Sequence, residues 1–247
     1  MLPCPRTSRI RKCFPGVQQL DLTGPYEVFA SARDGEVDFV WKTTDPVRAS
    51  TGLWLTPDVA FADAPNFDLI CVPGGGGVNP LLTDEETLEF VRSQAKTARF
   101  VTSVCTGSLV LGKAGLLTRK RAATHWNAMD LLERFEAIPV AERVVRDGNL
   151  ITAGGVTSGI DFGLSVIAEL MGQDEAETIS FRWNTHPHRR STQGCRNMSG
   201  LISAQRRAAG WNGRGRNARH CFHWSERAMN FSRLSTEHVM TRMASDQ

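Results

Sequence analysis

The feature that most constrains the fold is a strand-to-helix corner within residues 99–117, RFVTSVCTGSLVLGKAGLL. Phe100–Val104 is a short apolar run with β-branched residues, which predicts a buried strand. The spacing of leucine and valine after Gly107 predicts a helix directly behind it. Cys105 therefore falls where a strand turns into a helix, and a side chain at such a corner projects from the edge of the sheet.

Cys105 has two interpretations at this position. The N-terminus of a helix supplies backbone N–H groups and a partial positive charge, which favour the thiolate, the reactive form of cysteine. We therefore expect Cys105 to be a nucleophile in its thiolate form. The alternative is a small core residue, because free cysteine is among the most buried residue types. Other residues of the sequence favour the nucleophile.

Strands and helices alternate along the first 179 residues. Residues 37–42 (VDFVWK) and 67–72 (FDLICV) predict further strands. Residues 83–97 predict a helix with Thr83 as its N-cap, and residues 154–172 predict a long apolar helix that continues into the acidic segment behind it. This alternation indicates an α/β layer fold with a mostly parallel sheet.

Shorter elements are expected between these. Residues 52–61 predict a β-ribbon interrupted by Pro57, and residues 127–136 a helix. Residues 141–147 and 149–152 predict two strands around a turn.

The composition divides the chain in two. Residues 180–247 hold twelve arginines, no lysine and three acidic residues, a net charge of +9, whereas residues 1–179 carry −6. The last segment has no sustained helical or strand period, and residues 1–13 are also basic and atypical. We predict a folded domain over 14–179, an atypical N-terminus over 1–13 and a poorly ordered basic tail over 180–247.

Several interpretations of the tail stay open. A nucleic-acid-binding appendage would explain the charge, and histidine with cysteine could bind zinc, although the spacings match no known finger. A changed reading frame near residue 180 fits the composition best, and a disordered tail is a further possibility. The candidate zinc ligands are His186, His188, Cys195, His220, Cys221 and His223.

The cellular setting follows from what the sequence lacks. No apolar run is long enough to span a bilayer, and the N-terminus has no apolar core of a secretion signal. The six cysteines show no paired spacing, which is typical of a protein with reduced thiols. We therefore expect a cytoplasmic protein without membrane contact, metal or cofactor.

Four features converge on Cys105. The strand 67–72 ends in a glycine run at 74–77, whose backbone N–H groups, those of Gly75 and Gly76 included, could bind developing negative charge beside the cysteine. Asp21 lies in an otherwise apolar segment before a helix and is either a surface cap or a functional carboxylate. His125 follows twenty residues after the cysteine, and the alternative for it is a packed histidine without a function. Thr106 is the direct neighbour of the cysteine, and the alternative for its hydroxyl is a cap at the helix start.

Four separate blocks of this sequence resemble the DJ-1/PfpI superfamily, in the right order: PGVQQLDLTGPYEVF, FDLICVPGGGG, SVCTGSLVLGKAGLLTRKRAATHW and DGNLITAGGVTSGIDFGL. The resemblance covers about residues 15–179. It implies a flavodoxin-like, three-layer α/β sandwich of the class I glutamine amidotransferase-like type, commonly a homodimer. Two segments depart from the family pattern: residues 8–13 are a poor substitute for its apolar first strand, and the hydrophobic strand expected after residue 179 is missing.

Within the superfamily, the blocks look most like the isonitrile hydratases. That resemblance places the catalytic roles on Cys105, Asp21 and Thr106, and substrate or oxyanion binding on Gly75, Gly76 and His125. The expected reaction adds water to a small isonitrile through a cysteine-bound thioimidate and yields an N-substituted formamide. If the apolar setting raises the pKa of Asp21, this acid could donate the proton and then activate water.

Other functions remain open. A glyoxalase or deglycase of the DJ-1 type would use the same cysteine, usually with a glutamate in place of Asp21. A cysteine protease would depend on His125, but nothing in the sequence indicates a peptide groove. A transcription regulator would need an appended DNA-binding module, and the last 68 residues lack its apolar helical spacing. We therefore do not expect a nucleic-acid partner; a non-catalytic sensor on the same fold is the remaining alternative.

Overall fold

The structure, a computed structural model, describes residues 14–183 and the backbone of residues 7–12. The helices are α1 Gln19–Ala30, α2 Val78–Leu81, α3 Glu85–Ala95, α4 Gly107–Lys113, α5 Gly159–Met171 and α6 Gln173–Arg182, with 3₁₀ helices at Phe61–Asp63, Trp126–Phe135 and Val156–Ser158. The strands are β1 Thr7–Lys12, β2 Gly35–Trp41, β3 Val47–Arg48, β4 Trp54–Leu55, β5 Val59–Ala60, β6 Leu69–Val72, β7 Phe100–Val104, β8 Arg121–Ala122, β9 Ile138–Pro139, β10 Val144–Asp147 and β11 Leu150–Ala153.

A seven-stranded sheet with the order β10-β11-β7-β6-β1-β2-β5 forms the centre of the described residues. All neighbours run parallel except the edge hairpin of β10 and β11. Two further pairs, β3 with β4 and β8 with β9, lie outside this sheet. The predicted α/β fold with a mostly parallel sheet is therefore confirmed.

The core consists of two apolar clusters, one for each face of the sheet. Residues of β6 alternate between them: Leu69 and Cys71 belong to the cluster with α1 and α5, and Ile70 and Val72 to the cluster with α3 and α4. A parallel strand covered on both faces is apolar throughout, which explains the unbroken apolar run LICV of β6. The fold is thus the predicted three-layer sandwich.

The edge at which the parallel strands end positions the candidate site. β6 and β7 pair in register from Leu69 with Phe100 to Val72 with Ser103. The glycine run after β6 and Cys105 after β7 therefore emerge side by side.

Some predicted elements differ from the observed ones. The 52–61 ribbon is wrong, because β4 pairs with β3 whereas β5 joins the edge of the main sheet beside β2. The long helix is also interrupted: a 3₁₀ turn precedes α5, and Gly172, at φ +96°, separates α5 from α6. The strands at 141–147 and 149–152 are confirmed as the β10–β11 hairpin, and the helix at 127–136 takes the 3₁₀ form.

The predicted N-cap of α3 is also wrong. Asp84 caps this helix, because its carboxylate accepts a hydrogen bond from the Thr87 N–H. The Thr83 hydroxyl is engaged in the preceding turn, where it donates to the Pro80 carbonyl at 3.2 Å.

The polar segment 7–12 forms a strand despite its composition. The backbone of β1 pairs with β2 on one side and with β6 on the other. Its position between two strands, rather than an apolar sequence, accounts for the extended conformation. The domain limits at residues 14 and 179 remain predictions. The first residues of the predicted tail, 180–182, belong to α6, and the rest of it, residues 184–247 with the candidate zinc ligands, lies outside the described residues.

We predict that Gly163→Ala destabilises the protein whereas Gly24→Ala does not. Both glycines are buried in the contact between α1, which carries Asp21, and α5. A Cβ on Gly163 would lie 2.9 Å from the Val28 Cβ, whereas a Cβ on Gly24 meets its neighbours at 3.7 Å or more. Overpacking should cost Gly163→Ala about 1–3 kcal/mol of unfolding free energy, and the helix preference of alanine should stabilise Gly24→Ala by up to about 1 kcal/mol.

Urea unfolding of both variants measures the difference. Equal stabilities would contradict the close α1–α5 approach.

Candidate active site

Cys105 occupies a strained corner between β7 and α4. Its φ is +57°, a left-handed conformation that residues other than glycine rarely adopt. The Cys105 N–H donates to the carbonyls of Ala153 at 3.0 Å and Gly154 at 2.8 Å. The Cys105 carbonyl accepts from the hydroxyls of Thr124 at 3.0 Å and Ser108 at 3.2 Å. Such strain persists only where the surrounding bonds determine the conformation, as they do here.

Two glycines allow the corner to form. A Cβ on Gly107, the first residue of α4, would lie 2.0 Å from the Val72 carbonyl oxygen, so only glycine lets α4 start against the end of β6. A Cβ on Gly74 would lie within 2.8 Å of Asp21 Oδ2, the Cys105 Cβ and the Thr106 nitrogen. Gly74 therefore marks the point where the three predicted catalytic residues meet.

The glycine run serves the site differently from the sequence prediction. The Gly74 N–H donates to Asp21 Oδ2 at 3.2 Å, and the Gly75 N–H donates to the Thr106 hydroxyl at 3.1 Å. These two N–H groups orient the side chains of two predicted catalytic residues, Asp21 and Thr106. Gly76 is exposed, with open space where a Cβ would be. The sequence prediction included Gly74 in the glycine run but singled out only Gly75 and Gly76, because the importance of Gly74 depends on the approach of α1.

Asp21 is a fully buried carboxyl group in the first turn of α1. The N-cap of α1 is Gln18, and Asp21 is buried inside the helix, so the interpretation of Asp21 as a surface cap is wrong. Burial raises the pKa of Asp21 to about 6, although the Cys105 thiol, the Gly74 N–H and the charge of His125 each act to lower it. Oδ1 has no hydrogen-bond partner of ordinary geometry among residues 14–183 and can accept a proton.

The surroundings of Cys105 favour the thiol over the thiolate that the sequence predicts. Burial and, after it, the charge of Asp21 together raise the pKa of Cys105 to about 12. The N–H and hydroxyl of Thr106 face the sulfur and offset only part of the effect. At neutral pH the pair therefore holds one proton, on sulfur, beside a carboxylate.

Thr106 is a partner of the cysteine. It precedes α4 without capping it through its side chain, so the alternative that its hydroxyl is merely a cap is wrong. Its hydroxyl lies between the Gly75 N–H and the sulfur, and a hydroxyl can both donate and accept.

His125 lies at the same edge of the sheet, half-buried, before the 3₁₀ helix Trp126–Phe135. Its Nδ1 is 2.6 Å from Asn127 Oδ1, and its ring faces Gly155, where a Cβ would lie 3.5 Å from the ring carbon Cδ2. The charge of His125 acts on Asp21. Asn127 and Thr124 carry no sequence signal that separates them from other polar residues, which is why sequence reasoning missed both.

Metal chemistry has no support in this region. Among residues 14–183, no group of three or more histidine, cysteine, aspartate or glutamate side chains could hold a metal ion.

No helix in the described part of the chain is long and apolar enough to cross a membrane.

Known proteins share this arrangement of elements. Residues 12–169 match the DJ-1/PfpI family. The isonitrile hydratase of Pseudomonas putida is 60% identical over 174 residues, which cover 70% of this chain and 76% of that protein. The HTH-type transcriptional regulator GbdR of Pseudomonas aeruginosa is 35% identical over 136 residues, but this chain spans only 37% of the regulator.

A solved structure agrees with the fold. The crystal structure of a ThiJ/PfpI family protein from Pseudomonas syringae superposes with a TM-score of 0.72 at 36% identity, and the match covers 83% of this chain and 89% of that one. The family match covers well over half of the sequence, and the relative from P. putida is matched over most of its length. The chain therefore belongs to the DJ-1/PfpI family.

Proposed function

We propose that this protein is an isonitrile hydratase, a hydro-lyase that converts an isonitrile into an N-substituted formamide. The observation that carries the proposal is the contact between the buried Asp21 carboxylate and the Cys105 thiol, with Thr106 on the same sulfur. The 60% identity to the P. putida isonitrile hydratase supports it. A terminal isonitrile carbon requires a nucleophile and a proton, and this pair holds both.

In the first step the Cys105 sulfur attacks the terminal carbon of R–N≡C. The S–H proton passes to Asp21 as the C–S bond forms, because a thiol with a pKa of about 12 needs a base to become nucleophilic. Asp21 then delivers this proton to the same carbon, which gives the thioimidate R–N=CH–S–Cys105. A carboxyl group with a pKa of about 6 can both accept and return a proton near neutral pH.

In the second step water adds to the thioimidate carbon. One water proton goes to the nitrogen and the C–S bond breaks, so that R–NH–CHO leaves. The remaining proton restores the thiol, and Asp21 acts as the acceptor and donor for both transfers. The balance is one isonitrile plus one water to one formamide, with no cofactor.

The remaining site residues are proposed to orient the substrate. The Thr106 hydroxyl, held by the Gly75 N–H, would position the water or the isonitrile beside the sulfur. The exposed Gly76 and the half-buried His125 would border the path of the substrate to Cys105, since both lie at the edge where the strands end.

The proposal extends to assembly and location. We propose a homodimer that works in the cytoplasm, as the family resemblance implies. Leu53 and Trp54, exposed at the β3–β4 hairpin, are apolar side chains that a second copy could cover. Light scattering should give about twice the 27.2 kDa of one chain, and a monomer at all concentrations would contradict the dimer.

The purified protein should release a formamide from a small alkyl isonitrile, and Cys105→Ala should abolish this release because no other group would bond the carbon. Gas chromatography of the formamide measures turnover. Methylglyoxal consumption by the same sample is the comparison for a glyoxalase. Turnover of methylglyoxal alone would refute the hydratase in favour of that enzyme, and full hydration by Cys105→Ala would refute the cysteine mechanism.

Asp21→Asn should make Cys105 more reactive toward iodoacetamide near neutral pH but should lower the turnover of the isonitrile. Loss of the carboxylate removes a group that raises the pKa of Cys105, so a larger thiolate fraction should form near neutral pH. Turnover should nevertheless fall by about 10²–10⁴-fold, because the proton acceptor and donor is gone. The pH dependence of iodoacetamide labelling of the Cys105 peptide, read by mass spectrometry, measures the first effect. A lower thiol pKa together with higher turnover would show that Asp21 moves no proton.

The titration of Asp21 should affect activity and stability in opposite directions: as pH falls, kcat/KM should decrease and the contribution of Asp21 to stability should increase. The value of kcat/KM should fall as pH drops through about 6, since a protonated Asp21 cannot accept the thiol proton. The folded-state pKa lies above the ordinary value of 3.8, so the folded protein binds this proton more tightly. The contribution of Asp21 to stability is therefore highest below pH 4 and declines as pH rises to 6, by about 3 kcal/mol in total.

Urea unfolding of Asp21→Asn and the wild type between pH 4 and 8 isolates this contribution from that of other carboxyl groups. The variant should gain stability relative to the wild type as pH rises. A pH-independent difference would contradict the buried carboxylate.

A further inference from the structure

Arg143, the residue before β10, binds the turn between β11 and α5 with both its backbone and its side chain. Its carbonyl accepts a hydrogen bond from the Gly154 N–H at 3.0 Å. Its guanidinium donates to the Thr157 hydroxyl at 3.4 Å and to the Thr157 carbonyl, and pairs with Asp161 in the first turn of α5. The Arg143 side chain thus contacts three groups: the hydroxyl and carbonyl of Thr157 in the turn, and the carboxylate of Asp161 in α5.

This turn is part of the cysteine corner. The Gly154 carbonyl accepts the Cys105 N–H at 2.8 Å, the shorter of the two bonds that this N–H makes. Gly155, the next residue, faces the His125 ring. A shift of residues 154–158 would therefore move the acceptor that holds Cys105 in its left-handed conformation.

We propose that Arg143 is a positioning residue for the Cys105 nucleophile, acting through Thr157, Asp161 and the Gly154 carbonyl. The inference rests on the proposed hydratase function for its kinetic consequences. Arg143 lies on the outside of the turn, with its side chain 49% exposed, and acts on the sulfur only through the backbone. Small displacements of a reacting atom reduce catalysis steeply.

The chemistry of the contacts requires arginine. The planar guanidinium offers several N–H donors in a fixed fork, and three of its nitrogens are used here. A lysine has a single ammonium nitrogen, so it cannot reach Asp161 and both groups of Thr157 as the three guanidinium nitrogens do. Arg143→Lys should therefore retain the charge but only part of the function.

Arg146, three residues further along and within β10, provides a matched control. Its side chain is 48% exposed and pairs with Glu169, in the last turns of the same helix α5, and it also donates to the Gly148 carbonyl. Both arginines thus pair with an acid of α5, Arg143 at the end of the helix beside the cysteine corner and Arg146 at the opposite end. Exposed ion pairs of this kind contribute little to stability. Replacing Arg143 or Arg146 should therefore reduce the stability of the protein by similar, small amounts.

The experiment compares Arg143→Met, Arg143→Lys and Arg146→Met in the full chain. Arg143→Met should lower kcat about tenfold or more with KM changed less than about twofold, since substrate binding groups are untouched. Arg143→Lys should fall between Arg143→Met and the wild type, and Arg146→Met should match the wild type. The three melting temperatures should agree.

A second readout does not depend on the substrate. Iodoacetamide labelling of the Cys105 peptide, followed by mass spectrometry, should be faster in Arg143→Met, because a loosened corner exposes a residue that is only 5% exposed in the wild type. If the wild type forms no formamide, the proposed function fails while this labelling still tests Arg143. Wild-type labelling and kcat in Arg143→Met, or equal losses in Arg146→Met, would overturn the proposal.

Discussion

The contact between the Asp21 carboxylate and the Cys105 thiol is the interaction on which the rest of the site depends. Both groups are withdrawn from water: burial raises the pKa of Asp21 to about 6, and burial together with the charge of Asp21 raises the pKa of Cys105. The Cys105 thiol in turn acts to lower the pKa of Asp21, so the contact favours a protonated sulfur beside a carboxylate. A thiol and a base that are poised in this way suit a reaction in which the nucleophile must arrive together with a proton.

Three parts of the chain bring this contact about. α1 supplies Asp21 and is set by its close approach to α5 at Gly163. The turn after β6 supplies Gly74, whose N–H holds the carboxylate and whose missing side chain makes room for it. The corner after β7 supplies Cys105, held in a left-handed conformation by bonds to β11 and to Thr124. The order of the sheet places all three at one edge.

The sequence was sufficient for features that depend on local pattern. The apolar strand Phe100–Val104, the glycines after β6 and the corner at Cys105 follow from periodicity and residue type. The protonation of Cys105 did not follow, because a helix N-terminus is visible in the sequence whereas burial and the charge of Asp21 arise from tertiary contact. The polar strand β1 was missed for a related reason: its neighbours on both sides, rather than its own residues, make it a strand.

The central claim is that the Cys105 sulfur forms a bond to the isonitrile carbon and that the thiol proton is transferred to the same carbon of the resulting thioimidate. Rapid acid quench of the protein with a small isonitrile, followed by peptide mass spectrometry, tests this most directly. The account predicts a modified Cys105 peptide whose mass rises by that of one whole isonitrile molecule, formed before formamide appears and absent in Cys105→Ala. Formamide released without any adduct on Cys105, or an adduct on another residue, would contradict it.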